Sequence, residues 1–133
     1  ASVSPCDLSP DGSYIAVEEA TLKKVQIYKQ ASLSFSLDHT IDITPDHSTV
    51  ADVYCVQFSH DSQNLVIGVK NNDNSFSLLL YTLSSGQYSF THALSLTDTA
   101  LDKVKITDSG AVFFSGSTLK YTQICSGQLI TPT

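Results

Sequence analysis

Leu8-Ser9-Pro10-Asp11-Gly12-Ser13-Tyr14-Ile15-Ala16-Val17 is an apolar residue, a tight polar turn and an apolar run, and it comes back twice. Fifty residues on stands Phe58-Ser59-His60-Asp61-Ser62-Gln63-Asn64-Leu65-Val66-Ile67, and 48 further on Ile106-Thr107-Asp108-Ser109-Gly110-Ala111-Val112-Phe113-Phe114-Ser115. Ser, Asp and Gly supply the side-chain-to-backbone bonds and the positive φ that a hairpin turn demands. A second landmark keeps the same order: Leu83-Ser84-Ser85-Gly86-Gln87-Tyr88 matches Ile124-Cys125-Ser126-Gly127-Gln128-Leu129 at an offset of 41. It follows the strand-like runs Phe76 to Tyr81 and Leu119 to Thr122. Val25-Gln26-Ile27-Tyr28 holds that place in the first unit, before a less regular turn at Ala31-Ser32.

Each unit therefore reads as four short strands, a to d. They fall near 3–8, 14–18, 24–29 and 33–39, then near 52–58, 64–70, 75–82 and 87–96, then near 102–107, 111–115, 118–123 and 128–131. Four strands at a period of ~40–50 residues mark a β-propeller blade. The expected fold is all-β: three four-stranded antiparallel sheets, with blades at about 1–50, 51–100 and 101–133. Ala16 to Tyr28 has helix formers and Glu-to-Lys pairs at helical spacing. The aligned segments lack that character, so Glu18 to Lys23 is read as a loop and no helix longer than about one turn is expected.

These residues resemble the WD-repeat family. Its usual blade carries an apolar-Ser-Pro-Asp-Gly turn, which Leu8 to Gly12 fits outright and the other two turns fit loosely. Leu80-Tyr81-Thr82-Leu83-Ser84-Ser85-Gly86-Gln87 is similar to the family's close of strand c, with Tyr81-Thr82 where Trp-Asp would stand. Trp is absent from the chain, and so is the Gly-His pair that usually precedes strand a. The resemblance puts strand a innermost, the a–b and c–d turns on one face, and the b–c and d–a loops on the other.

A net charge of −6 argues against nucleic acid, and all seven basic residues are Lys, so no guanidinium fork can grip a phosphate. No run reaches the ~20 apolar residues of a membrane helix. Ala1 to Pro5 has neither a basic nor an apolar leader region, and no Asn-x-Ser/Thr acceptor occurs. With three cysteines, a poor disulfide framework, this leans towards an intracellular, cytoplasmic setting. Cys6 and Cys55 on strand a are expected to be buried thiols and Cys125 to be more accessible.

No catalytic or metal signature stands out. Neither Cys nor His recurs at zinc-ligand spacing. Asp38-His39, Asp46-His47 and His60-Asp61 are neighbours whose side chains diverge on a strand. Asn71-Asn72-Asp73-Asn74-Ser75 lacks the spacing and closing Glu of a calcium loop. No cofactor is expected.

The long, variable connections are Glu18 to Lys23, Ile41 to Ala51, Lys70 to Asn74 and Thr97 to Ala100, and binding usually sits on such loops. Glu18, Glu19, Asp46, His47, Asp73 and Asp98 are the candidate partner-binding residues on that face. The expected function is a non-catalytic, WD-type scaffold for protein partners, and not an enzyme. The alternative is part of a propeller enzyme or accessory domain with a site over the central channel. Three blades do not close a ring of ~4–8. Leu8, Val17, Val25 and Ile27 at one end, and Val104, Ile106, Phe113 and Phe114 at the other, are expected to need cover from further blades of the polypeptide, a second copy or a partner chain.

Overall fold

The computed structural model describes residues 6–19, 23–96, 101, 103–115, 119–125 and 127–130. Three four-stranded sheets follow one another, each made of consecutive antiparallel strands. Blade 1 holds β1 (Cys6–Leu8), β2 (Tyr14–Glu19), β3 (Lys24–Ala31) and β4 (Ser34–Asp42). A single helical turn, α1 (Ile43–Asp46), leads to blade 2, with β5 (Val50–Phe58), β6 (Asn64–Asn71), β7 (Phe76–Ser84) and β8 (Gln87–Leu96). Blade 3 holds β9 (Lys103–Ile106), β10 (Ala111–Ser115), β11 (Leu119–Cys125) and β12 (Gln128–Ile130). All-β architecture with propeller-type blades is what the repeat implied.

Two of the expected loops are shorter than the sequence suggested. Glu18 and Glu19 pair with Val25 and Lys24 in the β2–β3 ladder, so the strand absorbs both. At Ile41 to Ala51, β4 runs on to Asp42, whose carboxylate accepts the Thr44 amide at 3.3 Å and caps α1. The His47 amide closes that turn on the Ile43 carbonyl at 2.8 Å.

The a–b turns repeat atom for atom in blades 1 and 2. The Ser9 hydroxyl donates to Asp11 Oδ1 and accepts the Tyr14 amide, at 2.8 and 2.9 Å. Ser59 does the same with Asp61 and Asn64, at 2.6 and 3.0 Å. The third turn is one residue shorter: Ser9 and Ser59 bond to a carbonyl five residues on, whereas Thr107 bonds to Ala111, four residues on. One residue of slip exchanges the two faces of a strand. In β10 it puts Phe114 rather than Phe113 on the side that Ile67 takes in β6. Several residues expected to need cover have it within the chain. Phe114 and Val104 are 6% and 5% exposed in the blade 2–blade 3 seam, and Ile106 packs against that seam. Val25 and Ile27 are fully buried against blade 2. Leu8 is 55% exposed on the side of blade 1 that no other described blade covers.

Two apolar seams hold the blades together. Ala16, Val25 and Ile27 of blade 1 meet Leu65, Ile67 and Leu79 of blade 2. Val66, Leu78 and Leu80 from the other face of blade 2 meet Val112, Phe114 and Leu129 of blade 3. Burying each large side chain contributes about 1.5–3 kcal/mol. At Gly68 the seam is so tight that a Cβ would lie 2.4 Å from Cys55 Sγ and 2.7 Å from Leu101 Cδ2. Cys55 is half-buried there, and burial pushes its thiol up to about 11. Cys125 is exposed, as expected; Cys6 is exposed too, contrary to expectation. Cys6 pairs with Val17 on the side of β1 that no other described blade covers.

Candidate functional site

The d–a connection between blades 1 and 2 meets the b–c loop of blade 2. Asn71, at the end of β6 and 6% exposed, is the hub. Its Oδ1 accepts from His47 Nε2 at 2.6 Å and from the Thr49 hydroxyl at 3.3 Å. Its Nδ2 donates to the Ser75 and Ser77 hydroxyls, both at 3.0 Å. The Asn72 amide donates to the Thr49 carbonyl at 2.8 Å, so backbone as well as side chains join the two loops.

This network decides the chemistry of His47. With Asn71 Oδ1 as acceptor, His47 Nε2 carries a proton and donates it. Beside it, the Tyr81 hydroxyl donates to Asp46 Oδ2 at 3.0 Å. Burial, then the Asp46 charge, raises the phenol above its ordinary value, so Tyr81 remains a neutral donor. Asp73 accepts from the Ser75 hydroxyl and amide, which hold its carboxyl below the usual range.

Three of the six candidates, Asp46, His47 and Asp73, thus belong to these two connected loops. Glu18 does not project from a loop: it shares the face of Tyr14 and Ala16 and is 6% exposed. Glu19 is half-buried within β2. Asp98 lies outside the described residues. Thr49, Asn71, Ser75 and Tyr81 were missed. Asn71 and His47 are 24 positions apart, and only the fold makes them partners.

A second concavity, of about 170 Å³, lies on the opposite face between the a–b turns of blades 2 and 3, lined by Ser59, His60, Asp61, Asn64, Thr107 and Asp108 among others. His60 Nδ1 stands 3.2 Å from Asp108 Oδ1, but the side chains are 64% and 86% exposed. Water screens such a pair to little effect. Among the described residues no group of three or more His, Cys, Asp or Glu is placed to hold a metal ion. No described helix is long and apolar enough to cross a membrane.

No family model matches the chain, and no curated protein matches it in sequence. Solved structures do match in fold. One is a putative 6-phosphogluconolactonase from Bacteroides uniformis, with 13% identity and a TM-score of 0.73, over 95% of this chain and 38% of that one. Another is the periplasmic gluconolactonase of Pseudomonas aeruginosa, with 18% identity and a TM-score of 0.73, over 96% and 38%. The WD40 repeats of RRP9 match with 16% identity and a TM-score of 0.71, over 97% and 37%. The chain thus spans well under half the length of these structures, and at such identities the likeness shows the propeller-type fold and nothing narrower.

The expectation of a non-catalytic WD-type scaffold, and of no enzyme, is corrected here. The propellers that this chain resembles in fold are named mainly as lactonases, which favours the enzyme alternative. A propeller assembles polar groups from separate loops, as His47 and Asn71 show at 24 positions apart, so such a site leaves no compact signature in the chain.

Proposed function

We propose that this chain forms three blades of a propeller enzyme that hydrolyses sugar lactones, with its reacting centre at His47. The reading is carried by the likeness in fold to the 6-phosphogluconolactonase- and gluconolactonase-named propellers. The loop chemistry supports it. His47 Nδ1 takes a proton from water as the oxygen attacks the lactone carbonyl. The ring C–O bond then breaks, and the departing alkoxide recovers a proton to give the hydroxy acid. Thr49, Ser75 and Asp73 offer the hydroxyls and carboxylate that a polyhydroxylated ring needs as hydrogen-bond partners.

General-base help contributes about 10²–10⁴-fold in rate. In the full-length polypeptide, acid release from δ-gluconolactone and from its 6-phosphate is followed with spontaneous hydrolysis subtracted. His47→Gln is expected to lower kcat/KM by about 10²–10⁴-fold, while His60→Gln, on the opposite face, leaves it unchanged. No acceleration of either lactone by the wild-type protein, or full activity in His47→Gln, would sink the reading.

A further inference from the structure

The two seams are built to one pattern. Leu65 pairs with Tyr81 on the side of blade 2 that faces blade 1, and both are at most 1% exposed. The matching pair in blade 1 is Ile15 and Tyr28. They lie on a side that also carries Leu37, the partner of Tyr28, at 51% exposure. A groove of about 740 Å³ runs along this side, lined by Cys6, Leu8, Ile15 and Phe35 among others.

A hydrogen bond repeats with the seams. His39 Nε2 accepts the Tyr88 amide of the next blade at 3.1 Å, and His92 Nδ1 accepts the Leu129 amide at 3.0 Å. His39 pairs with Ile27 and His92 with Leu80, each beside a bulge, so the two histidines are equivalent. Tyr88, Leu129 and Phe35 are equivalent too: each pairs with the residue whose amide bonds to the a–b turn, namely Leu83, Ile124 and Gln30.

We propose that the open side of blade 1 is the docking surface for a further four-stranded blade of the same polypeptide, whose outer strand brings an acceptor to the Phe35 amide. The seams within the chain show what covers such a side: aliphatic groups of a neighbouring blade and, by the repeat, a histidine ring nitrogen. A second copy would have to offer the outer side of blade 3. There Phe113 stacks on Tyr121 with centroids 5.4 Å apart, where the other two blades present Ala16 with Ile27 and Val66 with Leu80. Two extra rings do not fit a seam packed around alanine or valine. Fold likeness to single chains of which this one covers 37–38% agrees with cover from the same polypeptide. The inference rests on junction geometry and is independent of the lactonase reading.

Cys6 reports on it, because it lines the groove and is exposed in these three blades, as Cys125 is. The full-length polypeptide is alkylated with iodoacetamide under native conditions and the modified peptides are mapped. Cys6 is expected to react at least about tenfold more slowly than Cys125, equally at high and low protein concentration, and as fast as Cys125 in urea. Native reaction of Cys6 as fast as Cys125 overturns the proposal. Protection that fades on dilution overturns it as well, since a second copy would then be the cover.

Discussion

Ser62 sits at φ 62°, where the corresponding turns of the other blades place Gly12 at 78° and Gly110 at 86°. The left-handed region brings a Cβ against the neighbouring carbonyl at a cost of about 1–2 kcal/mol, which glycine avoids. Ser62→Gly is therefore expected to stabilise the fold by up to about 1 kcal/mol, the rest being offset by the entropy that glycine loses on folding. The denaturant midpoint should rise with an unchanged slope, and an unchanged or lower midpoint would show that Ser62 is not strained. The same turns hold their carboxylates low. The Ser13 amide and then the Ser9 hydroxyl depress Asp11, and the Ser59 hydroxyl leads in depressing Asp61. Both favour folding above the ordinary carboxylate range and lose that effect as pH falls through their lowered values.

At the scale of elements, the bulges matter more than the strand lengths. The β3–β4 register skips Asp38, and the β7–β8 register skips Thr91. An extra residue breaks strict alternation. This is why Asp38, expected to diverge from His39, instead accepts from His39 Nδ1 at 2.6 Å. That contact fixes the tautomer and leaves Nε2 for the Tyr88 amide of the next blade. His39→Leu should destabilise by about 1 kcal/mol, the net worth of one hydrogen bond, whereas His39→Gln keeps an acceptor and should lose less. Equal losses in thermal melts of the two variants would mean that the histidine contributes packing alone.

Across the whole molecule, Asp7 senses all three blades. It stands on β1, accepts the Phe58 amide of β5 at 2.8 Å, and feels the charge of Lys105 on β9. Burial outweighs these stabilising influences and raises its carboxyl above the ordinary value. A raised folded-state value gives stability that is complete below the unfolded value and is lost as pH climbs through the folded one. Asp7→Asn keeps an oxygen for the Phe58 amide without a charge. Its melting temperature should exceed that of the wild type at neutral pH, and the gap should close as the medium is acidified below the carboxylate range. A gap that widens on acidification would reverse the assignment.

The sequence by itself determined the blades: their number, the order of their strands and the polar turns between them. Those features rest on interactions a few residues long, which repetition makes visible. Hairpin chemistry at Ser9 to Gly12 and Ser59 to Ser62 needs nothing from elsewhere in the chain. Which side of each strand is buried was decided only by the tertiary structure, because apolar residues stand on both sides, as Ile15 beside Ala16 and Leu65 beside Val66, and only a neighbouring blade covers one or both. The same holds for the burial of Glu18, the exposure of Cys6, and the meeting of His47 with Asn71. Each depends on a neighbouring blade or connecting loop that either supplies a partner or is absent from that side, and that packing is not written in local sequence.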